Sequence, residues 1–424
     1  MSADIKRAWL AEVLGVELDG AEPAQKGGAQ RQKIGLDTLG EALQSATEFV
    51  SKLFSAPEVA EVQKQLRGEV DTLEKLGLGT DRLKFDWANQ EQALVDAAKL
   101  TDASERDAAV KRARKRLEQL RDHAQALAKA TKKVMGDAKG TPDDAQKSTI
   151  YQKALKERYG LKIEVPKGMA NTHFDRVFDM MGTVPRDQTK HRKLKKLSYT
   201  DDKGWKGSGA YGGAEILMGD FGNAKGTENY EVDGKKVPVN SFDVTTLHEM
   251  GHALDDARKI MDKHGAKSGC GGWKRESVAS IADAMLAHFK KANSVGKALT
   301  DAMVLEAIRE ELGGTVPAMP NGVAPSDWKL VIDYLKLVTA RSRGSYSPWF
   351  ENTAVDVGGR SYVESYDNEW WSYEHASRAP TRVNNYQWRS PAEWFAEVYA
   401  ITWLKKVKPP AAVDASVAAF MWQG

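Results

Sequence analysis

The segment Val244-Thr245-Thr246-Leu247-His248-Glu249-Met250-Gly251-His252-Ala253-Leu254-Asp255-Asp256 constrains this chain more than any other stretch. It contains the pattern H-E-x-x-H. Successive residues of a helix turn by about 100°, so residues four apart differ by only about 40° and His248 and His252 project side by side. Two neutral imidazoles so placed can hold one Zn²⁺, which leaves Glu249 to take a proton from a metal-bound water. Val244, Leu247, Met250 and Leu254 fall at helical spacing and give the segment a buried face. Ser241 or Asp243 is predicted to cap its start. Gly251 costs about 1 kcal/mol relative to alanine in a helix interior. That cost makes sense where another backbone or the metal pocket must approach closely.

Two histidines leave a catalytic zinc incomplete, because three protein ligands plus water are usual. The extended metzincin pattern needs glycine at 255 and histidine at 258, and Asp255 and Arg258 stand there, which excludes that class. A downstream carboxylate is therefore expected. Ser390-Pro391 reads as N-cap and first residue of a helix, with Glu393 in its first turn and Glu397 one turn on, on the same face. Glu393 is placed to ligate the ion and Glu397 to accept a hydrogen bond from a ligating histidine. Glu276, 24 residues past His252, has a spacing common in thermolysin-like enzymes. It stands beside Lys274 and Arg275, which predicts an exposed first helical turn, and serine at 280 gives it no second carboxylate one turn on. Glu393 is the favoured ligand and Glu276 stays a candidate. His375, alone in an aromatic stretch, is a reserve ligand or transition-state donor, although a structural histidine explains it better.

These residues carry a resemblance. Leu247-His248-Glu249-Met250-Gly251-His252-Ala253-Leu254-Asp255-Asp256 and Ala392-Glu393-Trp394-Phe395-Ala396-Glu397 resemble the two active-site helices of the anthrax lethal factor-like family, within the gluzincin metallopeptidases. That family has a catalytic tyrosine seven residues before its ligand glutamate, and here the matching residue is Tyr386. The resemblance implies that His248, His252 and Glu393 bind Zn²⁺ and that Glu249 is the general base. It also implies that Tyr386 donates a hydrogen bond to the developing oxyanion or the leaving amine, with Glu397 behind the ligands. It covers only these helices and their surroundings. The offset of 141 positions from His252 to Glu393 far exceeds the family's usual gap, which predicts an inserted subdomain.

The remaining sequence bounds the organisation. A chain of 424 residues suffices for two or three domains. Its 41% hydrophobic and 29% charged residues suit a water-soluble globular protein, and no apolar run reaches the roughly 20 residues a membrane span needs. A net charge of +3 is too small to call for a nucleic-acid partner. Met1-Ser2-Ala3-Asp4-Ile5-Lys6-Arg7 leads into no apolar signal core, so synthesis and initial residence in the cytoplasm are expected, with any export by a leaderless route. The single Cys270 excludes an intrachain disulfide. Its setting in Ser268-Gly269-Cys270-Gly271-Gly272 suggests a bystander thiol rather than a plug for the zinc.

Residues 1–147 are predicted to form an all-α N-terminal region. A short helix carries Ile5, Trp9 and Val13, a linker runs over about 20–30, helical spacing marks Leu39–Leu53 and Val59–Leu76, and a long Ala/Lys/Glu/Gln-rich segment runs from about Phe85 to Met135, which together predict three or four helices in a bundle or hairpin. The basic run Lys111-Arg112-Ala113-Arg114-Lys115-Arg116 reads as a solvated helix face. Residues 148–424 are predicted to form an α+β zincin-like metallopeptidase domain. Thr141-Pro142-Asp143-Asp144 starts a helix that ends near Gly160, Leu161–Val165 alternates as a strand, and 171–181 reads as helix. Gly204–Gly213 reads as a glycine-rich loop before a strand at Ala214–Met218, and such a strand suits a sheet whose exposed edge pairs with an extended substrate. Tyr230–Val237 reads as a hairpin turning at Asp233-Gly234. A helical insert occupies about 265–384, with helices near Trp273–Lys291, Leu299–Leu312 and Asp327–Arg341 and then aromatics including Tyr346, Trp349, Phe350 and Tyr366.

The reading that follows is a zinc endopeptidase acting on protein or peptide substrates, with the N-terminal helices free to engage export machinery or a chaperone, as in a toxin or effector. The rivals are a helical binding or adaptor protein with a structural or degenerate metal site, and a zinc hydrolase of a non-protein amide bond.

Overall fold

A computed structural model describes residues 57–136, 140–165, 173–200, 208–219, 226–232, 234–339, 355–365 and 368–421. The short first helix, the linker, the helix around Leu39–Leu53 and the aromatics Tyr346, Trp349, Phe350 and Tyr366 lie outside them. So do Asp233 and the first residues of the glycine-rich stretch. The architecture is mixed α+β, mostly helical with small sheets. No described helix is long and apolar enough to cross a membrane.

Four helices open the described chain: α1 (Pro57–Lys75), α2 (Asp81–Ala98), α3 (Ala103–Met135) and α4 (Asp144–Tyr159). The long segment from about Phe85 to Met135 divides between α2 and α3, because Asp102 caps a new start by accepting from the Glu105 amide. α4 begins where expected: Asp143 and Gln146 form a reciprocal capping box, and Gly160 ends the helix with φ +75. The basic run on α3 divides. Lys111, Arg112 and Lys115 are exposed, but Arg116 is buried and donates to the carbonyls of Val184 and Gly182, so a solvated face accounts for only part of it.

A four-stranded sheet follows, made of β1 (Lys162–Glu164), β2 (Lys196–Thr200), β3 (Gly209–Gly212) and β4 (Glu215–Gly219), in the order β1-β2-β4-β3. The first three neighbours run parallel, and β3 is an antiparallel edge strand. Part of the presumed glycine loop is therefore strand. Gly213 and Ala214, with φ +58 and +66, make the tight turn that folds Gly209–Gly212 back onto β4. α5 (Phe174–Thr183) lies between β1 and β2 in the chain, and a hairpin of β5 (Thr227–Val232) and β6 (Lys235–Asn240) leads to the H-E-x-x-H helix, α6 (Ser241–Arg258). Asn240, rather than Ser241 or Asp243, caps α6: its side chain accepts from the amides of Phe242 and Asp243, while Asp243 is held by Arg176.

After α7 (Ile260–His264) comes the insert. It holds α8 (Val278–Ala292), α9 (Asp301–Leu312) and α10 (Pro325–Thr339), but also a three-stranded sheet of β7 (Lys274–Arg275), β9 (Trp370–Glu374) and β8 (Arg360–Glu364). The insert is therefore not purely helical. Ser277 and Ser280 form the capping box that starts α8, so Lys274 and Arg275 stay extended and pair with β9. β9 divides two cores by its alternation. Tyr373 joins the main core, Trp371 packs against it, and Trp370 joins a separate core built by α8, α9 and α10.

The last large helix, α11 (Pro391–Lys405), is buried from Glu393 to Leu404 and crosses α6 in the main core, and α12 (Ala415–Met421) follows. That core also takes in Val59, Leu66, Leu117 and Ile150 from the first four helices. Arg82 on α2 donates to the carbonyls of Leu404 (2.7 Å) and Trp403 (2.9 Å), satisfying the C-terminal end of α11. Gly251 is the contact point of the crossing, since a Cβ there would lie 2.9 Å from Ala396 Cα and 3.3 Å from Tyr399 Cδ1. Gly251→Val is expected to cost about 1–3 kcal/mol of stability by overpacking. Urea unfolding measures it, and an unchanged or raised midpoint would contradict so close a crossing.

Candidate metal centre

α6 and α11 bring three acceptor atoms to one point. His248 Nε2 and His252 Nε2 are 3.0 Å apart, and Glu393 Oε2 lies 3.0 Å from the first and 3.3 Å from the second. Ser390 accepts from the Glu393 amide and Pro391 occupies the first turn, so the cap expected from sequence sets where Glu393 starts. His248 Nδ1 faces Glu397 Oε1 at 3.0 Å and donates to it, which leaves Nε2 as the lone-pair atom of the neutral ring. Glu393 Oε2 is buried and faces the two imidazole nitrogens. A tetrahedral ion with bonds of about 2.0–2.1 Å separates its donor atoms by about 3.3 Å. The three atoms have the spacing that such an ion requires once the proton on His248 has left, and among the described residues His248, Glu249 and His252 lie close enough together to hold a metal ion.

The surrounding charges fit that role. Burial opposes a charge on His248, yet Glu397 and Glu393 outweigh it and hold its pKa well above the ordinary value. Burial likewise pushes Glu393 up, but His252 and His248 prevail and hold it well below the usual carboxylate range. Glu249 is 4% exposed, accepts no hydrogen bond among the described residues, and has its pKa raised by burial. Tyr386, on a short 3₁₀ turn, places its hydroxyl 3.4 Å from Glu393 Oε1 and its ring 5.8 Å from that of His248.

The other candidates lie elsewhere. Glu276 accepts from Ser372 at 2.7 Å and Ser280 at 2.8 Å and pairs with Lys274 at 3.2 Å, in an extended segment rather than a first helical turn. His375 Nδ1 meets Ser361 Oγ at 2.9 Å. Neither lines the cleft at the histidines. Cys270 is fully buried in its own loop, its thiol pushed up to about 11 by burial, and no plug reaches the site.

Sequence reasoning missed the supports. Glu397 Oε2 accepts from Tyr230 on β5 and from the Asn384 amide nitrogen. The chain before Tyr386 is tied to β5 by the Glu231 amide donating to Val383 O at 2.7 Å and by the Arg382–Glu231 pair. Gln387 Oε1 accepts from the amides of Val383 and Asn384. β3 is held across α6 by Tyr211, whose hydroxyl donates to Asp256 at 2.8 Å. A Cβ at Gly209 would stand 2.6 Å from Thr245 Cγ2 and 2.8 Å from Glu249 Oε1, so a larger residue there displaces these side chains. Nothing local marks Tyr230 or Asn384, because their partner is more than 150 residues away in one case and across a turn in the other.

These groups open into a cleft of about 1160 Å³, bordered by β3 on one side and by Tyr230, Asn384 and Tyr386 on another. No family model, curated protein or solved structure matches the chain.

Two outcomes follow. Without metal, the favourable protonation of His248 is complete below its unfolded pKa of about 6.5 and is lost as pH rises through the raised folded value. Metal binding at neutral pH is therefore expected to release about one proton. Calorimetry in buffers of different ionisation enthalpy reads this, and zero release would contradict the charged His248. Glu397→Ala is expected to weaken metal binding by about 10–100-fold, and Glu276→Ala to leave it unchanged, in a chelator-competition titration.

Proposed function

We propose that this chain is a zinc-dependent endopeptidase of the gluzincin type, built on a zincin-like domain, with His248, His252 and Glu393 as the ligands of one Zn²⁺. The convergence of two Nε2 atoms and one carboxylate oxygen within 3.0–3.3 Å carries this reading. Three such donors and no nearby thiolate match a catalytic zinc with one open position rather than a closed structural site. When bound, the ion lowers the pKa of water toward about 7 and polarises a carbonyl oxygen.

The chain's own residues supply the rest. Glu249 takes the proton of the attacking water and passes it to the leaving nitrogen. Its burial raises the carboxyl toward the range where one group both accepts and donates a proton. Tyr386 holds its hydroxyl 3.4 Å from Glu393 Oε1, beside the ligand carboxylate, where it can donate to the oxyanion that forms on the scissile carbonyl. Tyr230 and Asn384 fix Glu397, which fixes the tautomer of His248.

Substrate binding follows from β3. Its outer edge pairs with no described strand, and Ser208 to Tyr211 line the cleft directly above Glu249. An extended peptide can add to that edge by backbone hydrogen bonds, which holds it without a fixed sequence requirement. An edge that takes the backbone of an extended chain suits internal bonds of a polypeptide.

The test is a pair of substitutions in the zinc-loaded protein. Glu249→Gln is expected to keep the metal and lose at least about 10²–10⁴-fold in peptide cleavage. Tyr386→Phe is expected to lower kcat about 10²–10³-fold with KM little changed. Cleavage retained in Glu249→Gln would sink the mechanism.

A further inference from the structure

Part of the cleft lining comes from α7 and the insert that follows it, and the chemistry above does not use it. Met261, Trp273 and Trp371 wall this part, and Asp262 and Glu369 stand with them. The residues are contiguous. The Met261 amide donates to Asp255 Oδ1 at 2.8 Å, the Trp273 amide to Gly265 O at 2.8 Å, and Trp371 is the register partner of Arg275. The alternation of β9 turns Trp371 away from the insert's own core and toward the side of Tyr373 and Val363. The aromatic surface thus faces the cleft because of the strand's register.

Charge gives the wall its selectivity. Asp262 is exposed and forms no hydrogen bond or ion pair among the described residues. Glu369 gives one oxygen to Arg275, a residue outside the cleft lining, and keeps the other. Glu228 and Asp255 add carboxylates along the same cleft, and no described lysine or arginine lines it. An acidic side chain would be repelled here, and a neutral apolar one would desolvate carboxylates without pairing them. A long side chain with an apolar stem and a cationic head satisfies both parts of the wall.

We propose that α7 and the insert together form a subsite for a lysine or arginine side chain of the substrate, its stem against Trp371 and Met261 and its charge toward Asp262 and Glu369. The proposal rests on the proteolytic reading of the same cleft.

A positional series of fluorogenic peptides tests it, with arginine, citrulline or norleucine placed at each position in turn of an otherwise uncharged sequence and cleaved by the zinc-loaded full chain. Citrulline keeps the shape of arginine and removes its charge. At one position arginine is expected to raise kcat/KM about tenfold over citrulline. Asp262→Asn, a change at an exposed residue that leaves the fold intact, is expected to shrink that ratio. Trp371→Ala is expected to lower kcat/KM for both the arginine and the norleucine peptides at that position. Equal rates for arginine and citrulline at every position overturn the subsite and leave proteolysis standing. If no peptide is cleaved, proteolysis fails, and calorimetric binding of the same peptides to the Glu249→Gln protein decides the subsite. There, tighter binding of the arginine peptide supports it, and equal binding overturns it.

Discussion

The close crossing of α6 and α11 is the constraint on which the site depends. Gly251 removes the side chain that would hold the helices apart, and Ala396 Cα moves into the space. Only at that separation do the first turn of α11 and the middle of α6 bring Glu393 Oε2 to both histidines. The helical cost of a glycine is thereby exchanged for a geometry that no larger residue permits. Much of the rest of the structure holds this crossing in place. Arg82 satisfies the far end of α11, Ser390 and Pro391 set its beginning, and Asn240 starts α6.

Around the crossing, the buried carboxylates differ in how fully they are partnered. Glu397 is satisfied on both oxygens, by His248 on one and by Tyr230 and Asn384 on the other. Glu393 instead has the two imidazole nitrogens for neighbours, and the proton held on His248 offsets its buried charge until a metal ion takes that place. The same contrast separates Glu276 from Glu393. Glu276 has Ser372, Ser280 and Lys274 around it and needs nothing more, so its carboxylate serves the root of the insert.

Features set by local periodicity and caps were legible in the sequence. The pairing of His248 with His252, the Ser390-Pro391 start, the Asp143 capping box and the reason for a glycine at 251 all depend on neighbours within a turn or two, or on one contact a helix face implies. Features set by distant partners were not. The choice between two carboxylates across 141 positions depends on how the insert folds back. Gly209–Gly212 looked like loop because its strand character comes from pairing with β4 rather than from its own residues. Arg116 looked solvated because its carbonyl partners, at Gly182 and Val184, lie in a different part of the chain. Trp273–Arg275 looked helical until the pairing with β9 outweighed local preference.

The most direct measurement is anomalous scattering at the zinc absorption edge from crystals of the zinc-loaded protein. A single strong peak is expected between His248 Nε2, His252 Nε2 and the Glu393 carboxylate, about 2.0–2.2 Å from each. A peak ligated by Glu276 or His375, or no peak between α6 and α11, would contradict the centre on which the proposed chemistry rests.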